Sequence, residues 1–147
     1  MKMKTSKKGI ELIKKWEGCK LDSYKCSAGH DTIGYGNTFY EDGKKVKVGD
    51  KITKQRAEEL LANLLPKFEA IVNKKVTVPL AQNQFDALVS YTWNTGGSST
   101  LFDMINKKAS DKDIRTWFET KYITAGGKNM PGLVNRGKDE ANLYFTI

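Results

Sequence analysis

A change of sequence pattern close to the N-terminus limits which folds this chain can adopt. Residues 19–38 are rich in Gly, Ser, Asn and Asp and carry β-favouring aromatic and branched side chains, and an Asp42-Gly43 pair follows them. Asp-Gly between short strand-like runs is a strong signal for a hairpin turn. We therefore expect a small antiparallel sheet over about residues 23–48. Because a few short strands cannot bury much surface among themselves, this sheet must lie against helices.

The rest of the chain has the spacing of amphipathic helices. Apolar residues recur at steps of three and four positions, which places them on one helix face. Ser6 is a suitable cap for a first helix that Gly18 would end. From Val76 onwards the pattern is helical up to the C-terminus, apart from a loop at 125–127. The residues that mark the ends of the later helices are Gly96-Gly97, Ser98, Ser110 and Pro131.

Thr53 can cap a long helical pattern that contains Pro66. An interior proline removes one backbone hydrogen bond, so we expect a kink there or two abutting helices. The prediction is a two-lobed α+β fold, mostly α, in a single domain of residues 1–147. Its small antiparallel β lobe would span about residues 18–52, and its helical lobe about residues 76–147 plus the N-terminal helix. The long Pro-kinked helix would join the two lobes.

The charge balance points to an anionic target. The formal net charge is +8, which predicts attraction to nucleic acids, anionic membranes or anionic cell-wall polymers. Nearly all of the basic residues are lysines, whereas base-edge recognition favours the bidentate guanidinium of arginine. Specific nucleic-acid binding is therefore not expected. A lysine-rich surface that only keeps the protein soluble remains an alternative.

No apolar run approaches the ~20 residues that are needed to span a bilayer. The basic N-terminus also lacks the apolar core of a signal peptide. We expect a chain without a membrane span, made in the cytoplasm without an export signal of its own. If its target lies outside the inner membrane, the protein would then need a separate route across that membrane.

Residues 16–36 combine an acid at a helix end, both cysteines and the only histidine. Glu17 would lie at the carboxyl end of the first helix, where the helix dipole disfavours a negative charge, and burial against Trp16 would act in the same direction. A carboxyl that keeps its proton near neutral pH is what a general acid requires. By composition, Asp22 and Asp31 are the hairpin carboxylates that could partner it. A surface Glu at a frayed helix end is the alternative.

The same segment resembles the phage-type lysozymes of glycoside hydrolase family 24. The signature of that family is Glu, eight residues, Asp or Cys, five residues and Thr, and this chain has Glu17, Cys26 and Thr32 at those intervals. The likeness extends through nearly the whole chain. The other segments that carry it are Trp16-Glu17-Gly18, Leu21, Tyr24, residues 32–36, residues 79–89, Trp93-Asn94-x-Gly96, Ser99-Thr100-Leu101, Ala125-Gly126-Gly127 and residues 132–136.

The resemblance implies a lysozyme-like fold and a muramidase activity, without a cofactor or metal. The substrate would be the glycan strands of peptidoglycan, and the bond cut would be the β-1,4 link between N-acetylmuramic acid and N-acetylglucosamine, usually with inversion. The enzyme would be a monomer that acts on the bacterial cell wall from the periplasm. Because it is expected to lack an export signal, its release would depend on a separate holin-type pore.

The resemblance also assigns roles to single residues. Glu17 matches the general acid, while Cys26 and Thr32 match the residues that activate or hold the water. Arg136 matches a basic residue that pairs with the catalytic Glu. The positions that the resemblance places against substrate are Tyr35, Gly36 and Asn94.

The two cysteines raise a question about redox state. Many family members carry Asp where this chain has Cys26, and a free thiol has a pKa of about 8.5, so little of it is ionised at neutral pH. Cys26 could orient a water, act as a base in its minor thiolate form or, less readily, attack the sugar. In some membrane-tethered members, a cysteine at the position of Cys19 pairs with the one at the base position and blocks it. The alternative is two reduced cysteines with no such switch.

Three other interpretations compete with the enzymatic one. Cys19, Cys26, His30 and Asp31 are possible zinc ligands, but the spacing is not a standard one. A catalytically weak or inert peptidoglycan-binding module could use the same fold. A basic nucleic-acid binder would fit the lysine excess, although no binding motif supports it.

Overall fold

A computed structural model describes residues 3–25, 29–120, 124–125, 128–129 and 131–146, with the backbone alone at 124–125, 128–129 and 131–133. The first half of the chain contains one short sheet between two helices, and the second half is mainly helical. The elements are α1 (Lys7–Glu17), β1 (Lys20–Lys25), β2 (Asp31–Gly34), α2 (Lys54–Lys75), α3 (Gln82–Thr95), α4 (Ser99–Asn106), α5 (Asp111–Thr120), β3 (Thr124–Ala125), β4 (Lys128–Asn129) and α6 (Pro131–Tyr144).

Helix α1 begins and ends where its sequence predicts. The Ser6 side chain accepts a hydrogen bond from the Gly9 backbone N–H, and the Gly18 N–H donates to the Lys14 carbonyl at 2.9 Å. Gly18 has a φ of 64°, which an L-residue adopts only with strain. The Ser6 N–H and hydroxyl both donate to Asp86 on α3, so the start of α1 is fastened to that helix. These contacts orient α1 and so determine where its last residue, Glu17, lies.

The sheet is smaller than the sequence predicts. Strands β1 and β2 pair antiparallel, with Tyr24 opposite Thr32 and an irregular register between Lys20 and Tyr24. The remainder of the expected sheet at 23–48 contributes isolated bridges, and the predicted Asp42-Gly43 turn is closed by one of them, between Phe39 and Lys45. Short strands stabilise one another only weakly, so the rest of this segment forms single bridges and not a longer ladder.

Helix α2 runs as one helix of 22 residues through Pro66 and not as two abutting helices. The Thr53 side chain caps it by accepting from the Arg56 N–H at 3.1 Å. Its apolar face is buried on both sides of the proline: Leu64 and Leu65 before it and Val72 after it are all buried. Tertiary packing of this face offsets the hydrogen bond that Pro66 removes. Helix α2 packs against β2 and α3, and so connects the sheet to the helical lobe.

Helix α3 lies at the centre of the core, packed against α1, α2 and α6. All of its residues from Phe85 to Trp93 are buried, so its polar members must find partners inside the protein. The helical lobe also contains an antiparallel hairpin, β3–β4, where the sequence predicts helices joined by a loop. Residues 126 and 127 of that expected loop lie outside the described residues, and Ala125 belongs to β3.

Within the part of the chain that the structure describes, no helix has both the length and the apolar character that crossing a membrane requires.

Candidate active site

The candidate site is built around Glu17, the last residue of α1. Its side chain is 16% exposed, which is low for a charged residue at a helix end. The turn that follows β2 approaches it closely. A Cβ built on Gly36 would lie 2.6 Å from the Glu17 carboxyl carbon, and Gly36 has a φ of 77°. The backbone of this turn therefore packs directly against the Glu17 carboxyl, and a side chain at position 36 would displace that carboxyl and strain the positive φ.

Exchange of Gly36 for Ala is expected to lower kcat by about 100-fold, because a displacement of the reacting group by about 1 Å has an effect of that size. The added methyl group would push the Glu17 carboxyl from its position. Gly43→Ala is the matched control: Gly43 also has a positive φ, of 85°, but a Cβ there would meet no atom within 4 Å. Both variants should lose about 1–2 kcal/mol of unfolding free energy to backbone strain. Wild-type kcat in Gly36→Ala would contradict the proposed contact.

Arg136 on α6 is the cation that holds Glu17. Its Nη1 lies 3.0 Å from Glu17 Oε2, and its side chain is 4% exposed. The same guanidinium lies 3.3 Å from Glu140 through Nε and donates to the Ser90 carbonyl through Nη2 at 3.2 Å. The Ser90 hydroxyl donates to Glu140 at 2.6 Å. A connected polar network therefore joins the end of α1 to α3 and α6.

The electrostatics of Glu17 suit a proton donor. Burial raises the pKa of the Glu17 carboxyl, and the positive charge and hydrogen bond of Arg136 oppose part of that rise. The net direction is upward, so the protonated form persists to higher pH than in an exposed Glu. A carboxyl with these properties can protonate a leaving oxygen.

The turn between β2 and residue 37 is held by both backbone and side chains. Ile33 and Asn37 exchange two backbone hydrogen bonds of 2.9 Å, and the Trp93 indole N–H donates to the Tyr35 carbonyl at 2.9 Å. Thr32 is buried, and its hydroxyl donates to the His30 carbonyl at 2.9 Å. Trp93 on α3 thus fixes the turn that supports Glu17.

The Tyr35 side chain is buried and binds other protein groups. Its hydroxyl donates to Glu58 at 2.7 Å and accepts from the Lys54 ammonium at 2.7 Å. Glu58 also forms an ion pair of 2.7 Å with Lys14 on α1. Tyr35 and Glu58 therefore link α1, α2 and the turn, and any contact of Tyr35 with a sugar would come from its backbone. Cys19 is half-buried and forms no disulfide with any residue that the structure describes.

The other predicted site residues fall in different places. Asn94 is exposed on α3, directly after Trp93, and His30 is exposed beside β2. Cys26 lies outside the described residues. Asp22 and Asp31 each face a lysine, at 3.7 Å and 2.9 Å respectively. Among the residues that the structure describes, no group of three or more His, Cys, Asp or Glu side chains could hold a metal ion.

Sequence reasoning did not identify Glu140, Ser90 or Glu58. The spacing of Arg136 and Glu140 is the i,i+4 spacing of a helical ion pair, and this signal was available in the sequence. Glu58 has the same i,i+4 spacing from Lys54. Its contacts with Tyr35 and Lys14 have no such signal, and neither do those of Ser90, because these partners come from distant parts of the chain.

A small sheet beside a helical lobe, with a buried helix-end carboxyl bound by arginine at their junction, defines a lysozyme-like glycoside hydrolase. The phage lysozyme family matches residues 14–140, and the chain belongs to that family. It is 41% identical to the endolysin of Salmonella phage P22 over 145 residues, which cover 98% of this chain and 99% of the relative. It is 35% identical over 149 residues to the endolysin of Acyrthosiphon pisum secondary endosymbiont phage 1, covering 97% and 98%.

A solved structure confirms the predicted fold class. The endolysin from Escherichia coli O157:H7 phage FAHEc1 superposes with a TM-score of 0.82 at 40% identity, over 97% of this chain and 94% of that one. The predicted α+β fold, mostly α with a small antiparallel sheet, and the predicted lysozyme class are both confirmed. The roles of the individual site residues remain predictions.

Proposed function

We propose that this phage-type lysozyme is a muramidase that cuts the β-1,4 bond between N-acetylmuramic acid and N-acetylglucosamine in peptidoglycan. The observation that carries the proposal is Glu17, a largely buried carboxyl with a raised pKa, bound to Arg136 and resting on Gly36. Relatives of nearly the same length are named endolysins, and the positive charge of this chain suits an anionic wall.

Glu17 would act as the general acid that protonates the leaving glycosidic oxygen. A water on the opposite face of the sugar would then attack the anomeric carbon, which inverts its configuration. Cys26 and Thr32 would position or activate that water. Arg136 would orient Glu17 and stabilise the carboxylate that remains after the proton has moved.

A sugar bound beside Glu17 would contact the turn after β2 and the end of α3. Gly36 has no side chain to displace the carboxyl, and Asn94 offers an exposed amide at the end of α3. We further propose that the enzyme acts as a monomer on the periplasmic side of the wall, and that a separate holin-type pore releases it from the host cytoplasm.

Product analysis tests the bond and the stereochemistry together. Purified peptidoglycan would be digested in ¹⁸O-labelled water, and the new reducing ends would be identified by mass spectrometry. Proton NMR recorded early in the digestion, before mutarotation, would give their anomeric configuration. Labelled N-acetylmuramic acid ends, released first as the inverted anomer, are the expected result. Reducing N-acetylglucosamine ends, or non-carbohydrate cleavage products, would overturn the proposal.

We propose that a disulfide between Cys19 and Cys26 inactivates the enzyme, because it would remove the thiol expected to act on the water. Activity should be lost in an oxidised sample and restored by reductant. Cys19→Ser should be active under both conditions, since it leaves Cys26 without this partner. Equal rates with and without reductant, in a sample whose disulfide is verified by mass spectrometry, would refute this switch.

A further inference from the structure

Arg136 binds a second carboxyl besides that of Glu17. Glu140, one helical turn further along α6, is 1% exposed, and the proposed reaction does not use it. Its Oε2 accepts from the Ser90 hydroxyl at 2.6 Å and lies 3.3 Å from Arg136 Nε. An acid this deeply buried is costly unless it is paired. One guanidinium therefore serves two acids, one at the candidate site and one in the core.

We propose that Glu140 is a positioning residue for the active site: it holds Arg136 in place, so that the arginine orients Glu17, and it shares the positive charge of Arg136 with Glu17. This inference rests on the proposed role of Glu17 as the general acid.

The hydrogen bonds of Arg136 support the positioning part. The guanidinium is planar and presents its N–H groups in a fixed fork. Nε faces Glu140 at 3.3 Å, and Nη2 donates to the Ser90 carbonyl at 3.2 Å. With these two directions set, Nη1 points to Glu17 Oε2 at 3.0 Å. Glu140 and Ser90 therefore determine where the arginine meets the catalytic carboxyl.

The charges of the network support the second part. Two ionised carboxylates beside one guanidinium would leave an uncompensated negative charge in a buried place, so one of the two keeps a proton. The ionised form of Glu140 is stabilised by both Ser90 and Arg136. Burial nevertheless raises the pKa of Glu140 to about 7, and the charge of Glu17 adds to that rise. Because the two acids share one cation, ionisation of one disfavours ionisation of the other.

Two cations on the helices packed around α6 bind carboxylates outside this network. Lys15 on α1 binds Asp139 at 2.7 Å, and Arg115 binds Glu119 on α5 at 3.4 Å. The α3 residue that faces the network, Ser90, is uncharged. Arg136 and Glu17 are accordingly the charged groups that act on the pKa of Glu140.

Glu140→Gln in the full-length chain tests the proposal. Without the second acid, the charge of Arg136 acts on Glu17 alone, so the pKa of Glu17 should fall by about one unit. The midpoint of the Glu17 carboxyl signal in carbon NMR, recorded without substrate, should shift by that amount. The alkaline limb of the pH profile of kcat/KM should shift with it, which lowers kcat/KM at pH 7 by about tenfold.

Asp86→Asn is the matched control, because Asp86 is another buried acid but binds Ser6 and Gln82 and not Arg136. It should destabilise the protein and leave both midpoints unchanged. Unchanged midpoints in Glu140→Gln would overturn the proposal, since a merely structural Glu140 would affect stability only.

Failure of this proposal can be told apart from failure of the proposed function. If wild type does not hydrolyse peptidoglycan, the muramidase proposal fails, while the NMR titration still reports whether Glu140 controls Glu17. If Glu140→Gln does not fold, the wild-type titration decides. Two steps with midpoints shared by the Glu17 and Glu140 signals are expected, and two independent single steps would refute the coupling.

Discussion

Glu17→Gln is expected to lower the rate of peptidoglycan hydrolysis by about 10²–10⁴-fold, the range that a positioned general acid contributes. The amide has the shape of the carboxyl but cannot deliver a proton to the leaving oxygen. Its oxygen can still accept from Arg136, which also stays paired with Glu140. The variant should therefore fold and still bind peptidoglycan. Clearing of a peptidoglycan suspension measures the rate, and co-sedimentation with it measures binding.

Glu11→Gln is the matched control for this loss, because Glu11 is an exposed acid on the same helix. It changes the net charge by the same amount and should hydrolyse peptidoglycan like wild type. If Glu17→Gln and wild type clear the suspension equally, the role of Glu17 as the acid is wrong. If neither protein clears it but both bind it, the protein is a binding module.

Arg136→Met should lower the unfolding free energy by about 3–5 kcal/mol, the usual effect of removing one partner from a buried ion pair. Methionine fills similar space but leaves the carboxyls of Glu17 and Glu140 without a cation. Both acids already have raised pKa values, and loss of the positive charge raises these pKa values further. Chemical denaturation followed by circular dichroism measures the change.

The pH dependence of this loss identifies its cause. An acid with a higher pKa in the folded state than in the unfolded state destabilises the fold as pH rises from the unfolded value through the folded one. The defect of Arg136→Met should therefore be larger at pH 8 than at pH 4, where both carboxyls are protonated. A loss of the same size at both pH values would mean that packing, and not charge, is responsible.

Arg56→Met provides the comparison at the surface. Arg56 forms two hydrogen bonds with Glu41, but both side chains are partly exposed to solvent. An exposed ion pair contributes about 1 kcal/mol at most. If Arg56→Met lowers the unfolding free energy as much as Arg136→Met does, burial of the Glu17–Arg136–Glu140 network does not explain the large effect of Arg136→Met.

Local patterns predicted the helix boundaries well because capping depends on neighbours in sequence. Ser6, Thr53 and Ser98 cap the helices that they were expected to cap, and Pro131 begins α6. Where long-range packing acts, the predictions were less complete. Helix α2 continues through Pro66 because apolar residues on both sides of it are buried against other elements.

The position of Glu17 was evident from the chain alone, since a cap, an apolar period and Gly18 place it at the end of α1. Burial against Trp16 was expected, and the family resemblance indicated Arg136, but the other groups around Glu17 were not evident. Burial of Glu17 comes from the approach of Gly36, and its charge is balanced by groups on α3 and α6. Helix ends follow from hydrogen bonds within one turn, whereas burial and charge pairing depend on which distant segments pack together. The acid could therefore be located from sequence, but the network through Glu140 that holds it became visible only when the helices were assembled.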